Sequence, residues 1–291
     1  MAVFNVPEAK FVGILTFTSV GPVRVGAKRA GNVLYALRLR DGQLVIPSST
    51  WKGAFRSLAE KLAKTLQLSD VEKLAVESVS LAQNMAEKRR VVAGLVNEFT
   101  MTLRGQKTEH FDPEDVKRVL VEVGYSEEEL QRLENPLDAL VYYLEYYCPV
   151  GKLFGNSVRA AGIRFLDTYI STETTLKPGV GINRKKLTIE EEVLYFVELI
   201  PQMTSIKLVI VGEVKKRGDT ASKLFASVLE AIGEIGLSVG GCKSVGCGLL
   251  LLKSSKFHVV EYAHDPSGAL IANPFKTSPI DLGNFTKWLR G

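Results

Sequence analysis

A glycine-rich stretch near the end of the chain places the strongest local constraint on the fold. Residues 238–252 read SVGGCKSVGCGLLLL, in which four glycines surround a single cation, Lys243, directly before an apolar run. The glycines are Gly240, Gly241, Gly246 and Gly248. Glycine adopts positive φ at no steric cost and leaves no Cβ between its N–H group and a ligand. The stretch therefore predicts either a tight turn that leads into a strand or a loop that holds a phosphate.

The size and composition of the chain exclude several classes of protein. With 291 residues, of which 46% are hydrophobic and 24% charged, it has the make-up of one large or two ordinary globular domains. Its net charge of +5 is compatible with a polyanionic partner. No apolar run is long enough to span a bilayer, and the first residues lack the pattern of a signal peptide. We expect a cytoplasmic protein without a membrane partner.

The familiar signatures of metal and nucleotide chemistry are missing from the sequence. The three cysteines (Cys148, Cys242, Cys247) and three histidines do not have the spacing of zinc ligands, so we expect free thiols in a reducing compartment. Gly241 to Gly246 fits the first half of a P-loop, but Cys247-Gly248 stands where Lys and Ser/Thr are required. A dinucleotide motif after a strand, a GxSxG elbow and an HExxH motif are also missing. No cofactor is expected.

Strand and helix patterns outside the middle of the chain predict an α+β fold. Strands are expected at 10–18, 161–170, 193–200, 206–214 and 249–253, and the Asp41-Gly42 pair indicates a hairpin between 33–39 and 43–46. Apolar stripes predict helices at 51–66 and 219–236. This order is similar to the ferredoxin-like (RRM-like) βαββαβ arrangement, in which helices cover one face of an antiparallel sheet.

Residues 68–147 differ from the rest of the chain and are interpreted as a helical insertion. They are rich in leucine and charge, with helical patterns at 70–88 and 112–123 and a capped start at Ser126. The predicted domains are therefore a core of residues 1–67 and 148–291, interrupted by this insertion. Four tyrosines at 142–147 have helical spacing, which favours packing over base stacking.

Two further segments have the chemistry of an anion site. Residues 46–56, IPSSTWKGAFR, place hydroxyls at a helix start and Lys52 and Arg56 one turn apart. A helix N-terminus with two cations suits an anion, and N-capping by Ser49 or Thr50 is expected in either case. Residues 176–187 form a basic stretch that either follows a phosphate backbone or is a solvated loop. Its charged and amide side chains include Asn183, Arg184, Lys185 and Lys186.

These segments, in this order, resemble the repeat-associated mysterious protein (RAMP) superfamily of CRISPR effector complexes. The family's Ile-Pro-Gly-Ser-Ser helix start matches Ile46 to Arg56, with Ser48 in place of the glycine. Its Cys-Pro-x-x-x-Leu-Phe-Gly turn matches Cys148 to Gly155, and its basic segment leading to Glu-Leu-x-Pro matches residues 183–201. Its glycine-rich loop matches Gly240 to Gly248. The combination is most similar to the backbone subunits of type III complexes.

The resemblance implies a structural role on RNA. It implies a ferredoxin-like core, a helical insertion, a protruding thumb near 171–192, and binding to CRISPR RNA and target RNA beside other RAMP subunits and the large signature subunit. RNA would be held by backbone shape and charge. The implied RNA-binding residues are Lys28, Arg29, Ser48, Ser49, Thr50, Lys52, Arg56, Asn183, Arg184, Lys185, Lys186, Gly240, Gly241, Lys243, Ser244, Gly246 and Gly248.

One departure from the family pattern bears on catalysis. Catalytic relatives carry an aspartate before the Ile-Pro motif, and the alignment on Ile46-Pro47 places Asn32 there. An amide lacks the carboxylate charge and is not an equivalent metal ligand. The nearby Asp41 is better explained by its turn. The prediction is therefore a subunit without nuclease activity. A metal-dependent endoribonuclease that cleaves target RNA and a protein-interaction module without RNA contact remain the alternatives.

Overall fold

The computed structural model describes residues 7–82, 84–133, 135–183 and 188–291 as a mixed α+β protein. The chain forms two compact units. The first comprises Met1–Phe55, Arg164–Lys215 and Leu229–Trp288, and the second comprises Arg56–Ile163, Lys216–Val228 and Leu289–Gly291. The predicted insertion at 68–147 falls within the second unit, and its standing as a separate domain stays a prediction.

A five-stranded antiparallel sheet is the centre of the first unit. Strand β1 (Ala9–Ser19) lies between β11 (Leu249–Glu261) and β9 (Ser205–Val214), and β10 (Leu237–Ser238) and β5 (Ile163–Phe165) lie outside them. The order is β10-β11-β1-β9-β5. Burial alternates along β1, and its odd-numbered residues are the buried ones from Leu15 to Ser19. Such alternation is expected of a strand with two different faces.

Aromatic side chains attach helices to this sheet. Helix α1 (Ser48–Ala63) places the fully buried Trp51 on Phe17, with ring centroids 5.8 Å apart. Near the end of the chain, α11 (Leu282–Arg290) stacks Phe285 on Phe257 at 4.1 Å and tilts it against Phe11 at 5.0 Å. Phe11 and Phe17 are both odd-numbered, so the two helices contact the same face of β1.

A second, four-stranded sheet and a two-stranded ribbon complete the strands. The four-stranded order is β2 (Gly26–Ala30), β3 (Val33–Ala36), β8 (Thr188–Leu199) and β7 (Thr175–Asn183), in which β7 and β8 are antiparallel and β3 is parallel to β8. The ribbon pairs β4 (Leu44–Ile46) with β6 (Thr168–Ile170). The 31–32 and 41–42 turns connect these short strands.

Helices dominate the second unit. They are α2 (Asp70–Ser78), α3 (Met85–Val92), α4 (Val96–Leu103), α5 (Pro113–Glu122), α6 (Glu127–Gln131), α7 (Pro136–Tyr147) and α8 (Pro149–Phe154). Helix α9 (Thr220–Ile235) begins in the second unit and ends in the first, and α10 (Ala269–Ala272) is a single turn in the first. Ser126 and Glu129 form the predicted capping box of α6.

Several element boundaries differ from the predictions. The pattern at 70–88 contains two helices rather than one, since Asn84 caps α3 with its side chain. The predicted strand at 161–170 is two short strands in different sheets, and the last strand runs to Glu261 instead of Lys253 because it pairs with the whole of β1. Within the described part of the chain, no helix combines the length and apolar character that crossing a bilayer requires.

Candidate nucleic-acid interface

The glycine-rich loop is a compact turn with an exposed tip. Residues Lys243–Val245 form one 3₁₀ turn, flanked by Cys242 at φ +59° and Gly246 at φ +84°. The Cys242 carbonyl accepts hydrogen bonds from the N–H groups of Val245 (3.1 Å) and Cys247 (3.2 Å). Lys243, Ser244, Val245 and Gly246 are exposed, whereas Cys247 and Gly248 are buried. The loop thus presents the Lys243 and Ser244 side chains to solvent.

The base of this loop is fixed to the segment that follows β1. Gly241 N–H donates to the Arg24 carbonyl and Gly248 N–H donates to the Pro22 carbonyl, each at 2.9 Å. Gly246 N–H bonds within the turn, to Lys243 at 3.2 Å. These three N–H groups are engaged within the protein, which differs from their predicted role as phosphate donors. Among the loop residues predicted to contact phosphate, Lys243 and Ser244 have exposed side chains.

Arg24 lies against the loop and was not identified from the sequence. Its Nη1 donates to Cys242 Sγ at 3.4 Å. Its Nε is buried and has no hydrogen-bond partner within the described part of the chain. The neighbouring Val23 pairs with Ile200, through hydrogen bonds of 2.8 and 2.9 Å. The segment 22–24 therefore joins the glycine loop to the end of the Glu198–Pro201 motif, two segments that are distant in sequence.

Glu198 organises the four-stranded sheet beside this loop. Its carboxylate, almost fully buried, accepts hydrogen bonds from Ala36 N–H (2.8 Å), the Thr174 hydroxyl (2.6 Å) and Arg38 Nη2 (2.5 Å). Burial raises the pKa of the Glu198 carboxyl, but the hydrogen bonds from Thr174, Arg38 and Ala36 outweigh it, so the net pKa is lowered. The motif's glutamate therefore has a structural role in holding β3 to β8.

The start of α1 already carries an acidic cap. Ser48 N–H donates to Asp167 Oδ1 at 2.6 Å, and Ser49 and Thr50 lie inside the first turn, so the expected capping by either of these two is wrong. A carboxylate at a helix N-terminus is favoured by the helix dipole. Lys52 is half-buried one turn further along, and Ser49 is exposed. An anionic ligand at this end would share it with Asp167.

Arg56 is a bridge between helices rather than a free cation. Its Nε donates to Glu60 at 2.9 Å, its Nη1 to the Gly155 carbonyl at 3.1 Å and its Nη2 to the Ser80 carbonyl at 3.3 Å. Gly155, at φ +81°, ends the Cys148–Gly155 turn. Arg56 thus joins the first and second sequence motifs inside the second unit.

Replacing Arg56 is therefore expected to affect stability more than RNA binding. Arg56→Ala leaves two helix-end carbonyl groups without a donor and is expected to cost about 2 kcal/mol in the free energy of unfolding. Urea denaturation of the two proteins measures this, with Lys61→Ala in the same helix as the control. If Arg56→Ala is as stable as Lys61→Ala but binds RNA clearly more weakly, the structural role of Arg56 is contradicted.

Asn32 and its neighbours lie in a tight, exposed turn between β2 and β3. Arg29 Nε donates to the Gly31 carbonyl at 3.0 Å, and the Asn32 carbonyl accepts from Phe196 N–H at 2.7 Å. The Asp41 carboxylate accepts Gln43 N–H at 3.0 Å and so closes the predicted Asp41-Gly42 turn. Among the described residues, no group of three or more His, Cys, Asp or Glu side chains is placed to hold a metal ion.

Of the remaining predicted residues, Lys28 lies on β2 and Asn183 is the last residue of β7. Asn183 pairs with Thr188 at the last rung, and Arg184, Lys185 and Lys186 lie outside the described residues, as do the side chains of Lys28 and Asn183. Strands β7 and β8 pair from Thr175↔Leu199 to Asn183↔Thr188 as a long antiparallel ladder.

The tyrosines of α7 are occupied by hydrogen bonding inside the helical unit. Tyr143 and Tyr147 donate to the Asp115 carboxylate at 2.8 and 2.7 Å, and Tyr146 donates to Glu122. Burial is the main cause that raises the pKa of both Tyr143 and Tyr147, and the hydrogen bond of each to Asp115 raises it further. The prediction that these rings pack is confirmed.

The comparisons with known proteins agree with the class that these observations define, a mixed α+β protein with a large antiparallel sheet. The family model described as "RAMP superfamily" matches residues 16–251. The chain therefore belongs to the RAMP superfamily. None of the curated proteins searched matches it. Family membership connects the chain with CRISPR-associated complexes and with RNA.

Proposed function

We propose that this RAMP protein is a CRISPR RNA-binding structural subunit of a type III effector complex. The observation that carries the proposal is the glycine loop, whose base is bonded to segment 22–24 and whose tip exposes Lys243 and Ser244. A rigid loop with an exposed cation suits a phosphate backbone, since the ordering cost is met before RNA arrives. CRISPR RNA and target RNA, other RAMP subunits and the large signature subunit are the proposed partners, in the cytoplasm.

The finer fold assignment is part of this proposal. The order β11-β1-β9-β5, with α1 after β1 and α9 after β9, is the order that a ferredoxin-like βαββαβ unit produces. The antiparallel pair β7–β8 supports a thumb within 171–192, and Asn183, Arg184, Lys185 and Lys186 are proposed as further RNA contacts. Lys28 and Arg29, on β2, are proposed as additional phosphate contacts.

A role without nuclease activity is proposed from the residue at position 32. Asn32 provides an amide in an exposed turn, and the carboxylate of Asp41 is engaged by Gln43 N–H. Incubating the assembled complex with target RNA and Mg²⁺ tests this proposal. Cleavage that disappears in Asp41→Ala or Asn32→Ala protein would establish the endoribonuclease alternative instead.

Two lysines of the first unit test the RNA-binding role directly. The double variant Lys52→Ala, Lys243→Ala removes two cations, so the slope of log Kd against log salt should fall by roughly 1 for each lost phosphate contact. Binding to a single-stranded guide RNA is measured by filter retention across a salt series. Lys107→Ala, Lys117→Ala is the matched control, because it removes the same charge from exposed lysines of the second unit.

The two variants separate the proposed interface from a general charge effect. Equal slopes for the wild type and for the Lys52, Lys243 variant would overturn the proposed interface, and equal losses in both double variants would show that net charge alone is responsible. The third possibility, a protein-interaction module, predicts that no nucleic acid absorbance accompanies the complex purified from its host.

A further inference from the structure

The two cysteines of the glycine loop differ from the third cysteine in their surroundings. Cys148 is buried at the start of α8, where its Sγ accepts Gly151 N–H at 3.4 Å. Cys242 is partly exposed, and Cys247 is buried five residues later. Both contact one apolar cluster that contains Val197 and Leu199. The two thiols of the loop therefore share one site, and Cys148 provides a natural comparison.

The turn between the two cysteines brings them together. Cys247 N–H bonds to the Cys242 carbonyl (3.2 Å) and Gly246 N–H bonds to the Lys243 carbonyl (3.2 Å), with Gly246 at positive φ. This pair of bonds defines a Schellman motif, in which the side chains at the two ends of the outer bond commonly touch. The Cys242 side chain packs against the same cluster of buried residues that includes Cys247, so the two side chains are neighbours, as a disulfide between them requires.

The charges around the pair make the two thiols unequal. Arg24 Nη1 donates a hydrogen bond to Cys242 Sγ at 3.4 Å, so a guanidinium lies beside this sulfur. Burial is the main cause that raises the pKa of the Cys247 thiol, and the proximity of Cys242 raises it further. The positive charges of Lys177 and Arg24 act in the opposite direction. Cys242 is thus the accessible thiol beside a cation, and Cys247 is the protected thiol behind it.

We propose that Cys242 and Cys247 form a thiol–disulfide exchange site for low-molecular-weight disulfides. The Cys242 thiolate attacks one sulfur of a disulfide RSSR, forming a Cys242–S–S–R mixed disulfide and releasing RS⁻, which takes up a proton. Cys247 then loses its proton to solvent and attacks Cys242 Sγ, which releases the second thiol RSH. The two cysteines are oxidised by two electrons, and RSSR is reduced to two RSH.

The resulting bond would close the loop around its exposed tip. It joins the residues on either side of Lys243–Gly246 and withdraws the Cys242 sulfur from Arg24, whose Nε already lacks a partner within the described residues. The exchange site stands on the loop geometry alone. Its consequence for RNA, a changed affinity through Lys243, rests on the proposed function.

Reduced full-length protein incubated with oxidised glutathione tests the site. Intact-mass and peptide analysis should show the loss of two hydrogens and a Cys242–Cys247 bond, with Cys148 unmodified. Cys247→Ser should accumulate glutathione on Cys242, whereas Cys242→Ser should take up none on Cys247. Arg24→Gln should slow the first step by about tenfold, since it removes the cation beside the thiol. Thermal melting of each variant checks that the chain is folded.

Three results would overturn the site. They are equal alkylation rates of Cys242 and Cys148 in the native protein, a glutathione adduct that persists on Cys242 of the wild type, and disulfides that form only between chains. A guide-RNA titration of the oxidised protein separates the two proposals. If the disulfide forms and RNA affinity is unchanged, the exchange site stands and its proposed effect on RNA affinity is overturned, while the salt series with the Lys243 variant still tests RNA binding by the loop.

Discussion

Gly240→Ala is expected to lower the free energy of unfolding by about 3 kcal/mol, from two additive causes. Gly240 has φ +81°, a conformation that costs an L-residue roughly 1–2 kcal/mol. A Cβ at this position would also overlap the Arg24 carbonyl oxygen, a backbone atom that accepts the Gly241 N–H bond. Relief of that overlap requires the loop base to move away from segment 22–24, so RNA affinity should fall as well.

Gly246→Ala is the matched control for this prediction. Gly246 has a similar φ of +84°, but a Cβ there would meet no atom within 4 Å. Its substitution should therefore cost only the conformational part, about 1 kcal/mol. Urea denaturation followed by tryptophan fluorescence, in which the buried Trp51 reports on the first unit, measures both values. Equal costs at the two glycines would mean that the contact with Arg24 does not hold the loop.

Glu198→Gln is expected to cost roughly 3 kcal/mol at neutral pH, because a buried carboxylate that satisfies three donors is replaced by a neutral amide. The change removes the ion pair with Arg38 and places an amide donor at one oxygen position, where it faces either Ala36 N–H at Oε2 or the Thr174 and Arg38 donors at Oε1. The four-stranded sheet should be the region most affected. Hydrogen exchange of the β3 and β8 amides locates the effect.

The difference in the free energy of unfolding between wild type and Glu198→Gln should depend on pH in a defined direction. The folded-state pKa of Glu198 lies below its ordinary value, so its contribution to stability is fully present above the unfolded pKa, about 4.3. The contribution is lost as the pH falls through the folded pKa. The difference between wild type and Glu198→Gln should thus shrink on acidification from pH 5 toward pH 3. Glu173→Gln, at an exposed glutamate, is the control. A stability difference between wild type and Glu198→Gln that stays constant over this range would contradict the stabilising role of the Glu198 carboxylate.

Local sequence patterns predicted most of the elements because those elements depend on near neighbours. The Asp41-Gly42 turn, the Ser126 capping box and the apolar stripe of α9 each involve residues within one or two turns of the chain. The glycine loop was also predicted as a turn, since positive φ at Gly240, Gly246 and Gly248 is a property of glycine itself.

What the sequence did not reveal depends on pairs of residues far apart in the chain. The cap of α1 comes from Asp167, more than a hundred positions away from Ser48. Two of the three hydrogen bonds of Arg56 reach Gly155 and Ser80, contacts that the local pattern of this predicted RNA-binding cation does not indicate. Arg24 belongs to no motif and acquires its role only when the strand β1 brings it beside Gly241.

The course of β1 and β11 has a consequence for how the family's boundaries are used. The matched region, residues 16–251, begins inside β1 and ends inside β11, whereas the two strands pair from Ala9↔Glu261 to Ser19↔Leu250. Phe257 and Phe285, which stack in the core of the first unit, both lie beyond it. A protein cut at the matched bounds would therefore lose more than half of β1, most of β11 and the final helix that packs on them, so it should be much less stable than the full chain.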